Sequence, residues 1–263
     1  MKLFLLLCTP LLLMAKIHYA KVRPYESIVL KSAVSALVLE VDLSSEGSLV
    51  KGKRVIYLDD TLDHANFMSA KQSLKLLEEM HNINVDVAQG LKETFKRQED
   101  YFKRINKLST VSKTQKDTAF SSFTAAKTQY LGTREKIVTL EKQILDMKYK
   151  MKQLEDSILK KSIVLDNKYL YKLMVRQGDF VNPGTALAQI EDISKAKLVL
   201  FLEPEELIDF EHKTVYINGE KTAYKVDKVW RVADEKFISS YRAEIYIPTP
   251  EGLFSKLLKV ELK

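Results

Sequence analysis

The sequence of 263 residues is poor in three residue types: one cysteine, six prolines and eight glycines. With Cys8 as its only cysteine, the chain can form no disulfide within itself and no cysteine-ligated zinc or iron–sulfur centre. No proline falls between Pro24 and Pro183, so helix breakers are missing from more than half of the chain. That gap implies something long and regular in the middle. The longest apolar run, Leu3 to Ala15 with Pro10 inside it, is shorter than the roughly 20 residues a spanning helix needs, which excludes a multi-spanning membrane protein. Collagen-like and mucin-like classes fail on composition. What is present, 46% apolar and 29% charged residues, suits a globular chain rather than a disordered one.

Residues 1–20 combine Lys2, the apolar run and Lys16-Ile17-His18-Tyr19-Ala20, the pattern of an export signal with a cut after Ala20. His18 is larger than the small residue usual at that position, so an uncleaved inner-membrane anchor is the alternative. A lipoprotein signal would need a small residue before Cys8, where Leu7 stands. Cleavage after Ala20 would remove the cysteine and two lysines, taking the net charge from +7 to +5. That basicity is spread out. Its densest stretch, Lys148 to Lys161, lies on a heptad helix whose outer face must be charged in any case, so no nucleic-acid partner is expected.

Tyr130, Thr133, Ile137, Leu140, Ile144, Met147, Met151, Leu154 and Ile158 follow a strict 3-4 spacing, the seam of a coiled-coil helix. Upstream, Leu77, Met80, Asn84, Val87, Leu91, Thr94, Gln98, Tyr101, Ile105 and Leu108 give a second series with polar members. Two helices, about 61–108 and 113–160, are expected to face each other across Ser109-Thr110-Val111-Ser112, where hydroxyl residues serve as turn and N-cap. At about 1.5 Å per residue such an arm is roughly 70 Å long, too long to bury itself in a small domain. Met147 and Met151 read as packing rather than as soft metal ligands.

The arm interrupts a repeat. Before it, Gly47-Ser48-Leu49-Val50-Lys51-Gly52 leads to an alternating stretch ending in Leu58-Asp59-Asp60; after it, Gly178-Asp179-Phe180-Val181-Asn182-Pro183-Gly184 leads to one ending in Ile190-Glu191-Asp192. Glycine at 47, 52, 178 and 184 suits tight turns, and strands are expected at 36–41 and 169–175 before them. Two half-motifs flanking one insertion imply a single β-domain built from both ends of the arm, with two strand sets packed face to face. The paired acids read as strand-end or helix-start residues.

The half-motif resembles the lipoyl and biotinyl carrier fold. Divided by a helical hairpin, it is similar to the periplasmic adaptor family, the HlyD-type membrane fusion proteins. The resemblance implies an α+β fold: a split lipoyl-like barrel-sandwich hybrid domain (21–60 and 161–192) interrupted by a long α-helical coiled-coil hairpin (61–160), then a small antiparallel β-barrel (193–263). That family carries Arg-x-x-x-Leu-x-x-x-x-x-x-Ser at the hairpin tip, where it contacts the outer-membrane channel. Arg104 and Leu108 match in spacing, and Ser112 stands three residues early, so all three are implied channel contacts. Ser112 is equally a helix N-cap.

In the C-terminal part, Asn218-Gly219 between alternating residues signals a type I′ hairpin, and strands are expected at 198–202, 224–232, 242–247 and 257–262. Glu205-Glu206-Leu207 is similar to the family's acidic turn opening the barrel. Trp230 reads as an interior or interface anchor. No enzyme constellation is found: His64, His81 and His212 lie far apart in sequence, and no phosphate loop, nucleophile elbow or zinc-protease motif occurs. No cofactor or metal is expected, and the lysine that a lipoyl or biotinyl carrier needs is replaced by the arm.

The resemblance implies a non-enzymatic adaptor of a tripartite export pump in the periplasm of a Gram-negative bacterium, associated with the inner membrane. Its partners would be an inner-membrane transporter, of resistance–nodulation–division (RND) type in preference to ATP-binding-cassette (ABC) type, and an outer-membrane channel of TolC type. It would assemble as a homo-oligomer, a hexamer or trimer of dimers. The alternative is a coiled-coil tether or chaperone of the cell envelope.

Overall fold

The computed structural model describes residues 16–233, 237, 239–250 and 254–263. In chain order the strands before the arm are β1 (Ile17–Lys31), β2 (Ala36–Val41), β3 (Ser48–Val50) and β4 (Lys53–Leu58). The arm is α1 (Thr61–Lys107) and α2 (Lys113–Lys160). After it come β5 (Ser162–Leu165), β6 (Lys168–Leu173), β7 (Phe180–Val181), β8 (Ala186–Leu202), β9 (Val215–Ile217), β10 (Glu220–Lys221), β11 (Lys228–Ala233), β12 (Tyr241–Pro248) and β13 (Leu257–Leu262).

Strands from the two sides of the arm pair with each other: β2 with β7, β4 with β5 and β3 with β6, all antiparallel. The two half-motifs therefore make one domain, and the arm is an insertion into it. Val38, Val55, Ile56 and Leu58 from the first half pack against Leu170, Leu173, Val181 and Leu187 from the second. The four glycines of the repeated turns have φ between +59° and +92°, the left-handed region that side chains disfavour. In the C-terminal domain Asn218 and Gly219 also have positive φ, as a type I′ turn between β9 and β10 requires.

The main departure from the sequence reading is β1. Its first residues, Ile17 to Lys21, pair with β13, and from Val22 to Lys31 it pairs with β8. Ala20 and Val22 are buried with Ala196, Leu198, Leu200, Leu202, Val215, Ile245 and Val260 in the second core. The expected leader of 1–20 thus overlaps a strand of the C-terminal domain: a cut after Ala20 would strip Ile17 to Ala20 from β13. Residues 1–15, including Cys8, lie outside the described residues.

The expected boundary at 193 likewise falls inside β8, one strand of 17 residues. Its first part lies between β1 and β6; its last part lies between β1 and β12. At the crossing the β1–β8 register slips, from Pro24 opposite Ala196 to Glu26 opposite Asp192. That irregularity bends the ribbon where one core ends and the next begins. It also explains why Glu191 and Asp192 are not strand-end acids like Asp59 and Asp60: β8 continues through them. Asp59 accepts from the Thr61 backbone N–H at 3.1 Å and so does sit at a helix start.

Candidate functional site

The arm has the features of a contact surface. In α2 the half-buried and buried positions run at 3-4 spacing through Ala119, Phe123, Ala126, Tyr130, Thr133, Ile137, Leu140, Ile144, Met147, Met151, Leu154 and Ile158, extending the sequence-read seam towards the tip. In α1 the seam is Leu77, His81, Asn84, Ala88, Leu91, Phe95, Gln98, Phe102 and Ile105. Alternate members of the expected series were thus one residue early: Met80, Val87, Thr94 and Tyr101 face solvent. The polar interruptions of that series are partly a product of this phase, because Phe95 and Phe102 replace Thr94 and Tyr101. With them comes an aromatic stack that the sequence reading missed, in which Phe95 and Phe102 each lie 5.7 Å from Phe123 by ring centroid, flanked by Tyr130 and Phe120. The signal for it was available: Phe123 falls on the α2 spacing continued back from Tyr130.

Between-helix polar contacts fix the register. Asp63 accepts from Ser157 at 3.1 Å and pairs with Lys161 at 2.7 Å at the base; Glu78 pairs with Lys148 at 3.2 Å; Lys116 Nζ reaches the Asn106 carbonyl at 3.2 Å near the tip. The exposed Glu78–Lys148 pair adds little energy, the Asp63–Lys161 pair is more sheltered, and the seam does most of the joining.

The free end of the arm carries all three expected tip residues. Arg104 is exposed in the last turn of α1, where a cation favours the helix C-terminus. Leu108 is the C-cap, in extended backbone, and is 49% exposed. Ser112 is the N-cap of α2: its Oγ accepts from the Gln115 backbone N–H at 3.3 Å while Gln115 Oε1 accepts from the Ser112 N–H, a capping box. The capping geometry alone accounts for serine at 112. Around Leu108 the residues from Asn106 to Thr110 are exposed, an apolar side chain held out on a polar turn.

Two further apolar stripes lie on the flanks. On α1, Leu76, Met80, Ile83 and Val87 are exposed at 4-3-4 spacing, about a quarter-turn from the seam. On α2, Leu131, Val138 and Leu145 are exposed one heptad apart. Leu76 and Met80 border a groove with Gln143, Asp146 and Lys150, whereas Leu145 borders the groove on the other side with Glu78, His81 and Glu141. Since Glu78 meets Lys148 and His81 approaches Glu141, the two stripes stand at one level of the arm on opposite sides.

The β-domains hold ion pairs that shift the carboxylates in them. Lys168 at 2.7 Å, with Ser194, holds the Asp192 carboxyl down at about 2. Lys259 and Lys263 bring Glu261 to about 2 as well. Among the described residues no cluster of histidine, cysteine and acidic side chains could hold a metal ion, and no helix is long and apolar enough to cross a membrane.

No family model matches the chain, and no curated protein matches it in sequence. Solved structures do match in fold. MacA from Actinobacillus actinomycetemcomitans aligns over 94% of this chain and 78% of its own, at 13% identity and a TM-score of 0.74. The membrane fusion protein Spr0693 from Streptococcus pneumoniae R6 aligns over 95% and 99%, at 12% identity and a TM-score of 0.64. A MacA–MexA chimera carrying the Pseudomonas aeruginosa MexA α-hairpin aligns over 94% and 78%, at 17% identity and 0.61. The chain therefore has the fold of the membrane fusion proteins: an α-hairpin inserted into a split β-domain, followed by a second β-domain.

Proposed function

We propose that the chain is the periplasmic adaptor of a tripartite export pump, joining an inner-membrane transporter to an outer-membrane channel and forming part of the conduit. Copies stand side by side with arms parallel, the α1 stripe of one against the α2 stripe of the next. Such a head-to-tail contact closes into a ring when its rotation divides a full turn. A hexamer or trimer of dimers, a TolC-type channel at the tip and an RND transporter in preference to an ABC one complete the reading, in a Gram-negative periplasm at the inner membrane. The adaptor holds and couples its partners and carries out no chemistry.

The observation that carries this reading is the arm itself: two helices of 47 and 48 residues that leave the β-domain, keep exposed apolar stripes on both flanks and end in an exposed leucine. A photoreactive amino acid at position 108, irradiated in cells that contain the chain's own transporter and channel, tests it. An adduct with the outer-membrane channel is expected. Adducts with soluble proteins alone would overturn the proposal in favour of an envelope tether or chaperone.

A further inference from the structure

A cavity of about 1090 Å³ opens where the two β-domains meet, beside the slipped register of β1 and β8. Val22 is buried in the second core, so Lys21 and Arg23 on either side of it stand on the opposite face of β1. Ala196 and Leu198, buried in the same core, turn Lys197 of β8 the same way. All three cations line the cavity. In the register Arg23 lies directly opposite Lys197, a like-charge cross-strand pair of the kind that destabilises a sheet. Neither Lys21 nor Arg23 has an ion-pair partner among the described residues.

The acids nearby leave this charge in place. Buried Glu244 accepts from Arg242 Nη2 at 2.6 Å and stands 3.5 Å from Lys197. Arg242 also lines the cavity, but its guanidinium is further held over the Trp230 ring at 4.7 Å. Glu191, 7% exposed, offers the cavity little surface, and its Oε1 already accepts from Ser27 and Gln189. Glu26 stands beyond the register slip, on the side of the split domain. Apolar surface is brought in by backbone pairing: the Ser255 N–H donates to the Val22 carbonyl at 2.8 Å, and Thr249 Oγ to the Ile193 carbonyl at 2.7 Å, which lays Phe254 and Pro250 along the cavity. Three cations from two strands, two of them repelling each other, suit a dianion, and the volume exceeds what a bare phosphate fills. We infer that this cavity is a binding site for a phosphate monoester with an apolar body. The phosphate bridges Arg23 and Lys197 with Lys21 alongside, and the apolar part lies along Ile193, Pro250 and Phe254. This site is independent of the arm and of the proposed transport role.

Calorimetric titration of the purified full chain at neutral pH tests the assignment. The probes are two phosphate monoesters, naphthyl phosphate and lysophosphatidic acid below its micelle threshold. Naphthol, the matching monoacylglycerol and inorganic phosphate are the comparisons. At least one monoester is expected to saturate and to bind about tenfold or more tightly than its dephosphorylated counterpart and than inorganic phosphate, the factor set by one charge-assisted hydrogen bond. The tighter of the two identifies a soluble or a lipid source. Arg23→Gln should weaken that binding about tenfold without lowering the melting temperature of the ligand-free chain, because it removes the like charge opposite Lys197. Lys21→Gln should weaken binding too, whereas Lys221→Gln, on β10 and outside the cavity, should leave it unchanged. If Arg23→Gln does not fold, Lys21→Gln and the comparison among probes on the unaltered chain decide. No saturable binding of either monoester, equal binding of the dephosphorylated counterparts, or equal weakening by Arg23→Gln and Lys221→Gln overturns the assignment.

Discussion

At the tip, side chains of different standing sit within nine residues. Arg104 and Leu108 have no structural duty that would demand them, whereas Ser112 closes a capping box. On the proposed reading Arg104→Asp and Leu108→Ser should abolish export, measured as substrate retained in cells, while circular dichroism shows the helices retained, with Arg104→Asp lowering the melt only by the few tenths of a kcal/mol that an acid costs at a helix C-terminus; Ser112→Ala should instead cost about 1 kcal/mol of stability through the lost cap and leave export largely intact. Arg104 and Leu108 could be picked out in the sequence only through a family spacing, because nothing intrinsic to an exposed arginine or leucine marks it as a contact. Asp192 behaves differently. Its carboxyl titrates near 2 in the folded chain against an ordinary value of 3.8, so in the window between about pH 4 and pH 2 the unfolded chain takes up the proton first. The contribution of Asp192 is thus whole above about pH 4 and is lost as pH falls towards 2. Asp192→Asn should lower the melting temperature at pH 6 and flatten its fall between pH 4 and pH 2; parallel curves for the two proteins would refute the pairing.

At the scale of elements, the helices were legible and their mutual phase was not. A 3-4 spacing can be threaded through α1 in two ways that share Leu77, Asn84, Leu91, Gln98 and Ile105, and single-helix periodicity cannot choose between neighbours on one face. The choice is made by the partner helix, where Phe123 needs Phe95 and Phe102 rather than Thr94 and Tyr101. Paired substitutions measure it. Phe102→Ala should destabilise the arm by about 2 kcal/mol or more, as expected for a large aromatic removed from a packed seam, and Tyr101→Ala by less than about 0.5 kcal/mol. Similar losses for both would mean that the seam does not run through Phe102. The strands were legible where alternation and turn glycines coincide, as in β2 and β4, and in β13 from alternation alone. β1 was hidden because its partners lie far along the chain, from Ala186 to Leu198 and from Leu257 to Glu261, and because its first residues adjoin an apolar, leader-like run.

At the scale of the whole molecule, the two cores share strands instead of being joined by a linker, so their separation into domains at 193 misses how they are held. Ile17 to Ala20 supply paired strand and the fully buried Ala20 to the C-terminal domain. His18 Nε2 also meets Glu206 at 2.6 Å, and Lys16 meets Glu203. A chain that starts at Lys21 should consequently show a lower melting temperature, and earlier proteolysis in β13, than one that starts at Lys16. Equal melting and digestion would show that these residues are dispensable.

The sharing of β1 also orders the events of folding. The strand made first must wait for β8 before its second half is paired and for β13, at the far end of the chain, before its first half is. The arm, by contrast, contains nearly everything it needs within about a hundred consecutive residues, and contacts that are local in sequence form fastest. A newly made chain thus holds a finished lever before the platform that carries it closes with β8, and the first half of β1 stays an open edge for foreign strands until β13 is made.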